Sequence, residues 1–375
     1  MKYKGRFFLL LLFFSGNLLF SNLTFQELRQ LEKKLPDLKG REKVELLNKL
    51  AEEYQLENPA KAMEYAKTAL QISEQENDLD GQGYAHLQIA SNLKTTNREK
   101  GLKHIQLSEA LFRKSGNRKG MIYNFIIQAR YASADEKSPP ARSIGLYFKA
   151  LEMCGDKKEY VNELKRIYVY IAQSYRKTGN LDESDHYLRS GLEIVSDDFD
   201  KALFYNQLAL NYRDRQNFEK ELEYFIKAAE IYRKLKAELR LAIILSNIAQ
   251  TYMESHEYDK ALPVFTEVLT YYKDEQTIEP RLRTLLSMGK IFIDRKRVDQ
   301  AEQVLAECKR IIPGIKDNYL NFWYYQLLSD WSFLAGRYKE SRIYLLEYIR
   351  YKDLYLDEKK ARDLIRAQEE FNTKI

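Results

Sequence analysis

Histidine, cysteine and closely spaced glycine are where a search for chemistry in this chain begins, because they are few and each would do something different. His86, His104, His186 and His256 are the only imidazoles, and a helix-borne metal site would need a second ligand three or four residues along. None has another His or Cys at that distance, so no metal site is expected. Gly81-Gln82-Gly83 would open a phosphate-binding fingerprint only after a strand and with a third glycine at the right step. Without it the segment reads as a turn. Asp and Glu are abundant, but stand mostly four residues from a Lys or Arg, as solvated helix faces do. No nucleophile has a base nearby in sequence. The expectation is a chain that is not an enzyme, with no catalytic residue, no metal and no cofactor.

The elements that position these residues follow from a repeat. Ala51, Ala90, Ala129, Ala172, Ala209, Ala249, Gly289 and Ser329 are separated by 39, 39, 43, 37, 40, 40 and 40 residues. A period in this range marks an array in which each repeat is one supersecondary unit and the core is made by stacking. A ring usually stands three residues after the small site: Tyr54, Tyr175, Tyr212, Tyr252 and Phe292. In later repeats a second small residue stands twelve after it: Ser184, Ala261, Ala301 and Ser341. An apolar residue follows four further on (Leu188, Phe265, Leu305, Leu345), and often another small one seven on (Ala69, Ala150, Gly191, Ala228). Steps of three, four and seven share one helical face. Paired helices close to about 8–10 Å only where the crossing side chains are small. Turns between them are clearest at Thr178-Gly179-Asn180, Ser255-His256-Glu257 and Ala335-Gly336-Arg337. Cys154 and Cys308 fall four repeats apart, beyond disulfide reach, and read as core thiols.

Ile248 to Tyr252 followed by Tyr258 to Leu262, and Tyr338 to Ser341, resemble the tetratricopeptide repeat. The likeness spans roughly residues 40–350. It implies an all-α fold: a right-handed superhelical solenoid of about eight helix-turn-helix repeats with terminal capping helices. Repeats near 40 residues are longer than the usual 34, only Pro313 matches the closing proline, and Glu221 takes a normally small site. The resemblance also implies that first helices line a concave groove. By register that groove carries Tyr84, Lys94, Tyr123, Arg130, Arg166, Gln173, Arg176, Asn206 and Arg213. Five of the sixteen groove positions in the second to fifth repeats are basic and none is acidic. The expected partner is a protein or peptide of acidic and aromatic character. A general scatter of Lys and Arg over long helices accounts for the same residues, and register alone leaves both readings open. The later repeats (Ile243, Met253, Leu286, Ile293, Trp323, Phe333) give an apolar end. A clamp for a terminal carboxylate is not recognisable: Asn48 is followed by Glu52, whose charge opposes one.

Lys2, Lys4 and Arg6 ahead of the apolar run Phe7 to Phe14 describe a secretory signal peptide over residues 1–21. The alternative is an N-terminal membrane anchor. Removing these residues takes the net charge from +6 to +3, which offers no case for nucleic acid. Thr24 to Glu27 is a capping box, placing an N-terminal capping helix in 22–41, with repeats over 42–350 and a charged helix over 351–375. Two heptads there are too few for a coiled coil. The leader, the long repeats and the segment Tyr351 to Ala361 resemble the extracytoplasmic sensing region of bacterial tetratricopeptide-containing histidine kinases and regulators. The expected function is an exported, periplasmic or cell-envelope scaffold that binds a protein or peptide without chemistry. The alternative is an extracytoplasmic sensory module lacking its own transmitter, with a membrane-bound signalling protein as partner.

Overall fold

The computed structural model describes residues 25–55, 58–135, 138–155, 158–273 and 277–372. The leader expected over 1–21 lies outside them. Every regular element among the described residues is helical. In chain order the α-helices are α1 (Phe25–Lys34), α2 (Gly40–Glu53), α3 (Pro59–Gln75), α4 (Leu79–Leu93), α5 (Arg98–Ser115) and α6 (Arg118–Ala134). There follow α7 (Pro140–Cys154), α8 (Val161–Lys177), α9 (Leu181–Ile194), α10 (Asp198–Asp214), α11 (Phe218–Lys234) and α12 (Glu238–Glu254). The last five are α13 (Tyr258–Tyr271), α14 (Ile278–Asp294), α15 (Val298–Ile311), α16 (Asn318–Leu334) and α17 (Tyr338–Asn372). None is long and apolar enough to cross a membrane.

Local sequence explains where these helices start and stop. The side chains of Asn58, Asn97, Asn117 and Asn217 accept from the backbone N–H three residues on, at 2.7–3.1 Å. Each such cap is worth about 1 kcal/mol. Several helices end with one residue in the left-handed region, which seals the last carbonyls. Glycine does this at Gly116, Gly179 and Gly336, but Gln216, Lys236, His256 and Lys296 do it in other turns. Gly81 and Gly83 correct the sequence reading: they lie inside α4, not in a turn.

The chain divides into two units after Phe204, within α10. In the first unit, α2 pairs with α3, α4 with α5, α6 with α7 and α8 with α9. In the second, α12 pairs with α13, α14 with α15 and α16 with α17. All eight small sites that set the period are buried. At Gly289 a Cβ would meet only Leu305 and Leu327, at 3.6 and 3.8 Å. Elsewhere the approach is closer. The Phe112 ring of α5 fills the space of two missing side chains, since a Cβ on Gly83 or Gly120 would come within 2.5 or 2.3 Å of it. At Gly101 a Cβ would meet the Tyr131 hydroxyl, which donates to the Ala90 carbonyl at 2.5 Å. In three pairs the recurring ring on the first helix meets a tyrosine on its partner. Tyr175 stacks on Tyr187 and Tyr212 on Tyr224, with centroids 5.8 and 5.5 Å apart, and Tyr54 lies 5.9 Å from Tyr65.

The two ends differ. Leu28 of α1 is buried against Leu50, Tyr54 and Ala62, covering the first pair. The helix expected to begin at 351 is the second half of α17, which passes through 350 without a break. Of the apolar residues expected at the pair crossings, Leu188, Phe265 and Leu305 are buried, but Leu345 is exposed. Among the described residues no helix packs on that side of α17.

Candidate partner-binding surface

In the first unit, α4, α6 and α8 present the expected groove residues at matching heights. Tyr84 lies edge-on to Tyr123 at 6.1 Å and to Phe112 at 5.0 Å. Burial, foremost, pushes both the Tyr84 and Tyr123 hydroxyls well above their ordinary pKa. The Arg166 guanidinium lies 5.4 Å from the Tyr123 ring centre, and that of Arg130 lies 5.8 Å from Tyr170. Such contacts hold a cation flat against a π face. Gln173 and Arg176 continue the same face of α8 and are half-buried.

The surface is not uniformly basic. Arg166 forms an ion pair with Glu52 of α2. Glu52, Glu53, Gln88, Ser91, Arg130 and Arg166, with Leu87, Tyr123, Ile126, Ile127 and Tyr170, line an open notch of mixed character of about 40 Å³. That volume takes a water or two, far below the several hundred Å³ of a small-molecule site. Glu52 entered the sequence reading only as an obstacle to a carboxylate. Its partner lies 114 residues away, and no local pattern announces it.

Lys94, at the end of α4, has a different character. Burial first, then Arg130 and Lys177, bring its amine down to about 8. Lys177 donates to the Ser133 hydroxyl at 3.2 Å. Lys94 forms no ion pair with an acid among the described residues. A half-buried amine beside two further cations favours an incoming anion.

Asn206 and Arg213 belong to the second unit. Arg213 pairs through Nε with Glu221 Oε1 at 2.7 Å, and the Thr251 hydroxyl donates to the same oxygen at 2.7 Å. The Glu221 residue is fully buried, and burial outweighs both partners in holding its carboxyl above the usual range. This explains the acid at a normally small site: its carboxylate links α10, α11 and α12. Asn206 is half-buried, with its Oδ1 enclosed and without a hydrogen-bond partner among the described residues. Leu286, Ile293 and Trp323, read as an apolar groove end, are buried core of the second unit. Phe322 packs against Tyr348 and Tyr355 of α17, at 6.1 and 5.5 Å, whereas Phe333 stays exposed.

Two histidines that stand 18 residues apart in sequence are joined. His86 of α4 and His104 of α5 approach to 2.9 Å between their Nδ1 atoms, so one N–H donates to the other's lone pair. Burial and the neighbouring imidazole bring His86 down to about 4, and burial then Lys100 lower His104. A signal was present: His104 stands three residues after Gly101, where Tyr65, Tyr187 and Tyr224 follow their own small or buried sites. Among the described residues no group of three His, Cys, Asp or Glu could hold a metal. Burial, foremost, raises the Cys154 thiol to about 12 and lifts Cys308 well up, so neither supplies a thiolate near neutrality.

Comparison with known proteins agrees with this architecture. Tetratricopeptide repeat models match residues 165–197 and 200–274. No curated protein sequence matches the chain. Among solved structures, the chain is similar to a signal transduction ATPase with numerous domains from Pyrococcus horikoshii that carries a tetratricopeptide repeat sensor. That match has a TM-score of 0.64 and 19% identity, covering 91% of this chain and 53% of the other. The chain thus spans about half the length of that ATPase. It is also similar to aspartyl phosphate phosphatase F from Bacillus subtilis, at a TM-score of 0.52 and 14% identity, over 84% of this chain and 95% of that one. A Rap protein in complex with competence and sporulation factor matches at a TM-score of 0.50 and 14% identity, over 88% and 99%. At these identities the likeness is one of fold.

Proposed function

We propose that this chain, a tetratricopeptide repeat protein, is a non-catalytic module that binds an extended protein or peptide segment across α4, α6 and α8. The observation that carries this reading is Lys94, half-buried beside Arg130 and Lys177 and next to the aromatic pair Tyr84 and Tyr123, and itself in no ion pair with an acid among the described residues. A carboxylate of the ligand would neutralise the cationic end, and an aromatic or apolar side chain would lie over the rings. Because Arg166 is already matched by Glu52, the acid is wanted at Lys94 rather than all along the face. A 40 Å³ notch suits a single side-chain tip, which favours a ligand lying on the surface.

The test is binding of the full chain to a peptide array graded from acidic to basic, with and without aromatic residues. Acidic aromatic peptides are expected to bind, and Lys94→Glu to abolish that preference while the helical circular dichroism is unchanged. Indifference of the array to peptide charge, or a Lys94→Glu chain that binds the acidic peptides as well, removes the reading. Arg130→Glu and Arg176→Glu extend the test along the face.

Two finer readings are proposed with it. Export to the periplasm or cell envelope rests on residues 1–21, and mass spectrometry of the N-terminus of the protein from its own cells tests it. A sensory role, with a membrane-bound signalling partner, is supported by α17, which is 35 residues long and continues past the last repeat pair. Loss of a signalling output on deleting residues 359–375 would favour that role over a plain scaffold.

A further inference from the structure

α15 and α17 are second helices of neighbouring pairs in the second unit and share a register: Ala301 answers Ser341, and Leu305 answers Leu345. Leu305 is 2% exposed, lying near Gly289 and Leu327, while Leu345 is 46% exposed. That difference follows from the absence of a further helix beside α17 among the described residues. A second difference does not. Two, five and eight residues after the small site, α15 carries Gln303, Ala306 and Lys309, exposed and mostly polar. α17 carries Ile343, Leu346 and Ile349 there, exposed by 59, 60 and 44%. The outward side of α17 is apolar in its own right, at positions where a water-facing helix has no use for it.

The face has an internal pattern. Arg342, Leu346, Ile349 and Asp353 follow one another at steps of four, three and four, the seam of a heptad. The packed side, with Ser341, Tyr344, Tyr348, Tyr351 and Tyr355, points the other way, toward α16. Neither Arg342 nor Asp353 forms an ion pair within the described chain. We propose that α17 pairs antiparallel with α17 of a second copy, Leu346 against the other chain's Ile349 and Arg342 against its Asp353.

Charge selects this occupant and this direction. In a twofold contact each interaction occurs twice, once from each chain. Antiparallel pairing then gives two Leu–Ile contacts at the centre flanked by two Arg–Asp pairs. Parallel pairing would set Arg342 on its own copy and Asp353 on its own copy. A lipid surface asks for basic excess around an apolar stripe, but here Arg350 and Lys352 alternate with Asp353, Asp357 and Glu358.

Sedimentation of the full chain at micromolar concentration tests the pairing. A concentration-dependent dimer is expected. Leu346→Glu with Ile349→Glu should leave a monomer with unchanged helical circular dichroism, since both side chains face solvent. Arg342→Asp should weaken self-association about tenfold, from two like-charge contacts, and adding Asp353→Arg should restore it. Oxidising a mixture of Leu346→Cys and Ile349→Cys chains should link unlike copies in preference to like ones. The proposal is overturned by a monomer throughout that range, by a dimer indifferent to the double glutamate change, or by a charge reversal that the second reversal does not rescue. Wild-type monomer that binds anionic phospholipid vesicles through the same face overturns it in favour of a membrane.

Discussion

Two stretches of this molecule treat their side chains in opposite ways. From α2 to the start of α10, within the first unit, several polar groups are drawn inward and matched: His86 to His104, Arg166 to Glu52, and Lys165 to Asp200 at 2.6 Å with both side chains nearly enclosed. In the last pair of the second unit, apolar groups are turned outward and unmatched along α17. Apolar packing is tolerant of which helix supplies it, whereas an enclosed charge accepts one partner. The first region therefore specifies its own neighbours. The second leaves a neighbour to be supplied.

The largest expected effect probes the matched interior. Lys165→Met strands the Asp200 carboxylate, and the unfolding free energy in urea should fall by about 3–5 kcal/mol. Lys165→Met with Asp200→Leu should recover most of it, and a double variant as damaged as the single would show that the pair does not specify this junction. Next comes the apolar contrast. Leu305→Ala should cost about 2–5 kcal/mol, whereas Leu345→Ala at the same register should change monomer stability little. Equal losses would mean that the α17 face is covered in the isolated chain.

Gly120→Ala drives a methyl into Phe112 and should cost about 1–3 kcal/mol, seen in thermal unfolding. The histidine pair gives a pH effect of known sign. Its imidazoles are neutral in the folded chain and titrate near 6.5 once unfolded, so protons favour unfolding. Stability should be level above about 6.5 and decline as pH falls toward about 4, and His86→Gln should flatten that slope. The smallest change is a gain: Gly289→Ala fits without contact closer than 3.6 Å and should stabilise by about 0.5–1 kcal/mol. A loss there would mean that α14 and α15 sit closer than described.

The helix pairs were legible because one constraint, room at a crossing, recurs at fixed spacing from Ala51 to Ser329. The tyrosine opposite Tyr54, Tyr175 and Tyr212 was equally available, at the same step from the second small or buried site, as Tyr65, Tyr187 and Tyr224 show. What eluded the sequence depends on distance along the chain. Glu52 and Arg166 stand in α2 and α8, and their pairing is a product of stacking, which no window of neighbouring residues contains. Gly81-Gln82-Gly83 misled for the converse reason. Glycine is a turn former by conformational freedom, but here Gly83 serves by lacking a side chain under Phe112, and Gly81 by lacking one beside Val44 and Asp78. The exposure of Leu345 was illegible because its register matches that of the buried Leu305 and only the neighbour differs.

α17 contains neither proline nor glycine across its 35 residues, the usual places where a helix kinks. Its near end is tied to the last repeat through Ser341 and Ser329, whose hydroxyls and carbonyls are 3.0–3.1 Å apart, and Asn318 reaches it at Glu358. Beyond that contact about 21 Å of helix remain, at 1.5 Å per residue. A tilt imposed at the repeat end thus has no built-in joint in which to dissipate. The rod works as a lever, and a few degrees at its base become a displacement of ångströms at its tip.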